Sequence, residues 1–297
     1  MFIEKSQQMH EQGRKNAGAF FRRLCQPVSF KFNMDNLTAK RRERGEINEA
    51  DITHFASFDE PELLFLLHSK IPVERSCAAI HLRKYQNPTV VDKLCHQLAI
   101  EKKLYTKIVL CETLAECAYL SIGPLIGLLG QIGKNQETKI PETGFYKVSY
   151  PLPRDIAART ICRLGIVAVL PLESFIKSSK DMNALAQAID AYGHIVYSNK
   201  IECSSSTLQE LYEKHPKNDF LKYKITRCLS GIHDEWAKSL LLDTIQTGCK
   251  GLRLEALRSL LLLKIEMPSN IQNGFSAEMQ ELESCLKKKL TKKSSRR

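Results

Sequence analysis

Phe145, Tyr146, Lys147, Tyr150 and Arg154 fall within ten residues of one another. Aromatic faces interleaved with cations suit flat or anionic ligands, which they hold by stacking and cation–π contact. These five are the candidate partner-binding residues. The same stretch also reads as a joint. Pro153 lies near the start of a helix, where a fixed φ and a missing N–H cost nothing, Asp155 suits the positive helix end, and Tyr150 and Leu152 can cover exposed core. The joint accounts for most of the pattern, and the loop before the helix is the place to look for a site.

Other chemistry is sparse. Gly123, Gly127, Gly130 and Gly133 recur at spacings of three or four, which suits helix breaks and close packing, not a phosphate-cradling loop. Neither GxSxG nor HExxH occurs, and His54, His68 and His81 each lack a second ligand nearby in sequence. The ten cysteines include no CxxC pair, so the expectation is reduced core thiols without disulfides or metal. No catalytic, cofactor-binding or metal-binding residue is assigned, no cofactor is expected, and the chain reads as a non-enzyme.

The elements that must position these residues are helical. The chain is 43% hydrophobic but only 7% aromatic, with few glycines and prolines, and Leu and Ala favour helices over sheets. The net charge of +11 is concentrated at the ends: residues 1–45 carry +6, residues 284–297 carry +7, and the body between them carries −2. A fold built to grip a duplex is more often basic over its body. The divisions expected are a basic helical cap or arm at 1–50, a helical array at 51–283 and a basic flexible tail at 284–297. In the first of these, Phe20, Phe21, Phe30 and Phe32 alternate with Arg22, Arg23 and Lys31. Such a segment packs on the first helices or docks on an anionic membrane or nucleic acid. The opening residues lack a continuous apolar run and no segment is long enough to span a bilayer, so a cytoplasmic chain is expected, with a peripheral place at the inner membrane face as the alternative.

A repeat runs through the array. Arg75, Ala78, Ala79 and Leu82 set a register that returns at Lys107, Leu110, Cys111 and Leu114, at Arg154, Ala157, Ala158 and Ile161, at Lys222, Ile225, Thr226 and Leu229, and at Arg253, Ala256, Leu257 and Leu260. The apolar members share one helical face. Each such helix is followed by a second apolar one, giving a pair that cannot bury its face alone but can when stacked. The step from Lys107 to Arg154 is 47 residues where those from Arg75 to Lys107 and from Lys222 to Arg253 are 32 and 31, which places an insert at 134–153; inserts in such arrays form loops on one edge and often bind. The pattern of a basic residue, paired small residues and Leu resembles the HEAT repeat, especially the short variety of bacterial and phycobilisome-lyase-like proteins, over residues 58–265. The resemblance implies an all-α fold, an α-solenoid of about six helical hairpins.

On this reading the chain is a non-catalytic scaffold for a protein partner, recognised by the second helix of each pair together with the insert. The alternatives are a nucleic-acid-binding array or a membrane-associated scaffold, reached through the basic ends. HEAT-like alkylpurine DNA glycosylases share the solenoid, and for that chemistry Asp155 or Asp234 would have to serve with Trp236, the single tryptophan.

Overall fold

The computed structural model describes residues 34–294, and its contacts divide the chain after Lys40. Of the N-terminal unit only the start of α1 (Met34–Arg42) is described; the phenylalanine-rich stretch at 20–32 lies outside the described residues. The remainder, from Arg41 onward, contains α2 (Glu49–His54), α3 (Glu60–Leu66), α4 (Pro72–His81), α5 (Pro88–Ile100), α6 (Leu104–Glu116), α7 (Tyr119–Ile126), α8 (Ile156–Leu164) and α9 (Val169–Ser178). It continues with α10 (Met182–Asn199), α11 (Ser206–Lys214), α12 (Asp219–Cys228), α13 (Glu235–Thr247), α14 (Lys250–Leu263), α15 (Ser269–Gln272) and α16 (Ala277–Ser294). No strand occurs among the described residues, so the fold is all-α. None of the described helices is long and apolar enough to cross a membrane.

Many helices begin where the sequence supplies an acceptor for free backbone N–H groups. Asn48 with Asp51 and Asp59 with Glu62 form reciprocal capping boxes at α2 and α3. Asn87, Asp155, Asp181, Asn218 and Asp234 cap α5, α8, α10, α12 and α13. Lys200 and Lys264 end α10 and α14 in the left-handed conformation, which closes the last turn.

Each even-numbered helix from α4 to α16 packs on the next even-numbered one, and α5, α7, α9 and α11 do the same among the odd. The helices also pack as neighbours in pairs, α3 with α4 through to α13 with α14. One core runs from Leu63 in α3 to Leu286 in α16. The two rows differ in kind. The odd helices are covered on one side, whereas α10, α12 and α14 are buried nearly all round. Small residues let the even helices approach: Ala78, Ala79, Ala157 and Ala158 are fully buried. Hydroxyls two positions further along two of these helices then reach the preceding even helix. Thr113 donates to the Ala79 carbonyl at 2.9 Å and Ser259 to that of Thr226 at 3.0 Å.

The recurring basic residue ties turns together. The Arg75 guanidinium bonds the Ser69 carbonyl (2.7 Å) behind it and the buried Glu101 carboxylate (2.7 Å) ahead. Arg253 likewise reaches the Ile245 carbonyl (2.9 Å) and that of Gly274 (3.3 Å). At α8 the register differs from expectation. Arg154 and Pro153 precede the cap residue Asp155 and so stand outside the helix, and Arg159, in its first turns, makes the tie to the Pro153 carbonyl (3.0 Å). Asp155 is the residue that accepts from the Ala158 N–H, so the helix starts after the basic residue. The boundary expected at 283/284 falls inside α16, because Leu282, Leu286 and Leu290, four apart, lay one apolar face on the core and carry the helix to Ser294. Among the described cysteines, Cys77, Cys95, Cys111, Cys117 and Cys228 are buried, while Cys249, at the start of α14, is exposed. Burial pushes the Cys77 and Cys95 thiols up to about 12, which keeps them inert.

Two turns share an unusual backbone. Ala118, between α6 and α7, has φ 48° and ψ −121°, and Gly165, after α8, has φ 69° and ψ −141°. Glycine adopts that region freely, whereas a Cβ is crowded there. Ala118→Gly should therefore raise stability by about 1 kcal/mol and Gly165→Ala lower it by a similar amount; equilibrium urea unfolding of the two variants measures both.

Candidate functional site

The insert at 134–153 leaves α7 and crosses the even row before the chain enters α8. Its two ends are held together by Asp155. This fully buried carboxylate accepts from the Ala158 N–H (2.8 Å), the Gly130 N–H (3.1 Å) and the Gln136 amide (2.9 Å). Burial raises its pKa, and the hydrogen bonds only partly offset that.

Beyond this anchor the insert lies on a cluster of buried charges. The Glu137 carboxylate meets the Lys224 ammonium at 2.7 Å and the Arg227 guanidinium at 2.9 Å. Lys224 is fully buried and also pairs with Asp190 of α10. Arg227 lies 3.6 Å from Asp190 and 3.8 Å from Glu255 of α14, and bonds the Tyr223 hydroxyl. Arg258, fully buried, pairs with Glu255 at 2.6 Å. The helices thus contribute three cations, Lys224, Arg227 and Arg258, against two anions, Asp190 and Glu255, and Glu137 supplies the balancing charge. Burial works to raise the Glu137 pKa, but Arg227 and Lys224 outweigh it and hold the carboxyl below its ordinary 4.5.

The rest of the insert is gripped mainly through its backbone. Tyr197 of α10 donates to the Val148 carbonyl (2.8 Å), Arg258 of α14 to that of Ser149 (2.7 Å) and Lys289 of α16 to that of Tyr146. Phe145 lies beneath the Arg258 guanidinium, 5.2 Å from its ring centre, a cation–π contact in a desolvated setting. Ile140 and Pro141 rest over Gly251. Tyr150 is buried against Gly193, its ring 5.9 Å from those of His194 and Tyr197. Burial lowers the His194 pKa below 6.5, against a hydrogen bond to the Pro151 backbone and the charge of Asp190.

The five residues singled out from sequence therefore divide. Phe145, Tyr146 and Tyr150 turn toward the helices and hold the insert down, while Lys147 and Arg154 are exposed. Glu137, Asp190, Lys224, Arg227, Glu255 and Arg258 were not anticipated as a group. Their signal was present: Lys224 and Arg227 sit in "LKYKITRCL" and Arg258 in "LEALRSLLLL", charges on helices whose apolar residues leave no solvent face. The side chains that grip the insert also come from the even-numbered helices, which the sequence repeat counts as the first of each pair and not the second, because the even helices form the row that the insert covers. Asp234, the other carboxylate considered for chemistry, caps α13 through the Ala237 N–H (2.9 Å) and accepts from the Ser205 N–H (2.7 Å), and Trp236 packs edge-on to Tyr212. Among the described residues, no three His, Cys, Asp or Glu side chains converge as a metal site requires.

Compared with protein-family models, the chain matches none, and a search of curated proteins finds no match.

A methyl group at position 193 would collide with the Tyr150 hydroxyl and approach the Cys228 sulfur to 3.0 Å. Gly193→Ala should destabilise the fold by about 1–3 kcal/mol and speed hydrogen exchange at 134–153 while far-UV circular dichroism stays helical. Acid should loosen the same contacts. His194 and Glu137 both have folded pKa values below their unfolded ones, so at these two groups the unfolded chain binds more protons and their contributions fall as pH falls, while the raised pKa of Asp155 works in the opposite sense. The His194 contribution is lost first, below about 6.5, and the Glu137 contribution below about 4.5. Melting temperature against pH should show the upper step in the native chain and lose it in His194→Gln.

Proposed function

We propose that the chain is a non-catalytic helical-repeat scaffold, an α-solenoid of HEAT-like pairs, that binds an extended segment of a protein partner along its even-numbered helices. The observation that carries this reading is how the insert is held. The helices α10, α12, α14 and α16 each contribute to fixing one irregular piece of chain, and Tyr197, Arg258 and Lys289 do so at main-chain carbonyls. Carbonyl recognition depends little on side-chain identity and suits peptide ligands in extended form. Lys147 on the insert and Arg154 at its end are exposed and add positive charge beside these contacts in the chain.

Nucleic acid is the weaker reading. With the insert seated, the cations that the even row gathers are paired with carboxylates inside the chain, and residues 46–283 carry −2, which leaves little excess charge to neutralise phosphates. For glycosylase-like chemistry, Asp155 and Asp234 would have to act while accepting bonds from backbone N–H groups.

Site-specific photo-crosslinkers test the proposal. Placed at Lys147 or Arg154, they should capture the same protein partner in cells, while one at the exposed Glu210 on α11 should not. Crosslinks to nucleic acid from the insert positions, or equal yields of that partner from all three, would overturn it.

A further inference from the structure

We propose that residues 134–153 occupy the binding groove as an internal stand-in for the partner, and that the partner is an extended acidic segment whose carboxylate takes the place of Glu137. This rests on the scaffold reading above and gives its ligand a chemistry.

The argument is one of charge and donors. With the insert in place, three buried cations face three carboxylates, and one of those carboxylates belongs to the insert. The helices alone carry an excess of one positive charge at Lys224 and Arg227. An uncompensated buried cation is strongly unfavourable, so whatever covers the site in place of the insert must bring an anion with it. An aliphatic or basic segment cannot; a segment with a carboxylate can. Lifting the insert also frees the Tyr197 hydroxyl, the Arg258 guanidinium and the Lys289 ammonium, three donors already aimed at backbone carbonyls. The helices therefore retain three donors for main-chain carbonyls and one site selective for an acid. Phe145 under Arg258 marks a further preference, for an aromatic residue eight positions after the acid.

The middle of the insert is the part suited to leaving, since Tyr150 near its end is buried against Gly193. Its polar ties to the even row run to a few side chains, and Lys134, Thr138, Lys139, Glu142, Thr143, Lys147 and Ser149 along it are exposed. Its anchor at Asp155 lies beyond the groove, beside α8, and holds the base of the loop whether or not its middle is seated.

The test uses the full chain and a dye-labelled peptide of residues 134–153, made with Glu or with Gln at the position of Glu137. Two variants unseat the internal copy: Glu137→Gln, which removes the anion, and Phe145→Ala, which leaves every charge intact. Fluorescence anisotropy should show both variants binding the Glu peptide about tenfold or more tightly than the native chain does, and the Gln peptide about tenfold or more weakly than the Glu peptide, as loss of a buried charge-assisted contact requires. Circular dichroism verifies that each variant is folded, and Phe145→Ala decides the matter if Glu137→Gln is not. No gain in binding by a folded variant, or equal binding of the two peptides, would overturn the proposal. A crosslinked partner at position 147 alongside that failure would leave the scaffold standing and remove only the exchange of segments.

Discussion

Charge neutrality under the insert is the constraint on which the rest of the structure depends. Lys224 and Arg258 have no access to solvent, and Arg227 almost none. Each such group is tolerable only when paired and hydrogen-bonded. The helices meet two thirds of that requirement through Asp190 and Glu255, and the last carboxylate comes from a loop far away in sequence. The loop is consequently not an ornament on the array. The buried cations hold it, and it in turn makes their burial possible.

This explains the difference between the two rows of helices. The odd helices need only one apolar side, whereas α10, α12 and α14 are covered by the odd row on one side and the insert on the other. A helix covered on both sides has nowhere to put a charge except into a pair. The arrangement favours definition over raw stability, since well-packed apolar residues in the same places are often as stable as a buried ion network. What the charges add is a fixed path for the insert.

Much of the architecture was legible in the sequence. The register of Arg75, Ala78, Ala79 and Leu82 and its returns marked the even helices because close packing demands small residues at fixed spacing, and the 47-residue step marked the insert because a repeat exposes its own interruptions. The start of α8 was misplaced by a few residues: periodicity reports which face is buried, while the first residue is decided by a cap, and Asp155 is the cap. The site was legible only in part. Phe145, Tyr146 and Tyr150 were visible as aromatics in a loop, but their inward direction depends on Arg258 and Gly193, over 40 residues away in sequence at the nearest. The pairing of Glu137 with Lys224 and Arg227 spans 87 and 90 residues, beyond the reach of any local pattern.

Those long spans bear on how the molecule comes apart. In an array of helical pairs each unit touches only its neighbours, and unfolding can advance from an end one unit at a time. The insert breaks that rule by joining the α7–α8 junction to α10, α12, α14 and α16. Fraying from the C-terminal side therefore breaks contacts of the loop along with those of the helix. Among the described residues the insert's side-chain ties run to α10, α12, α14 and α16, so the long-range coupling it adds falls on that half of one continuous core.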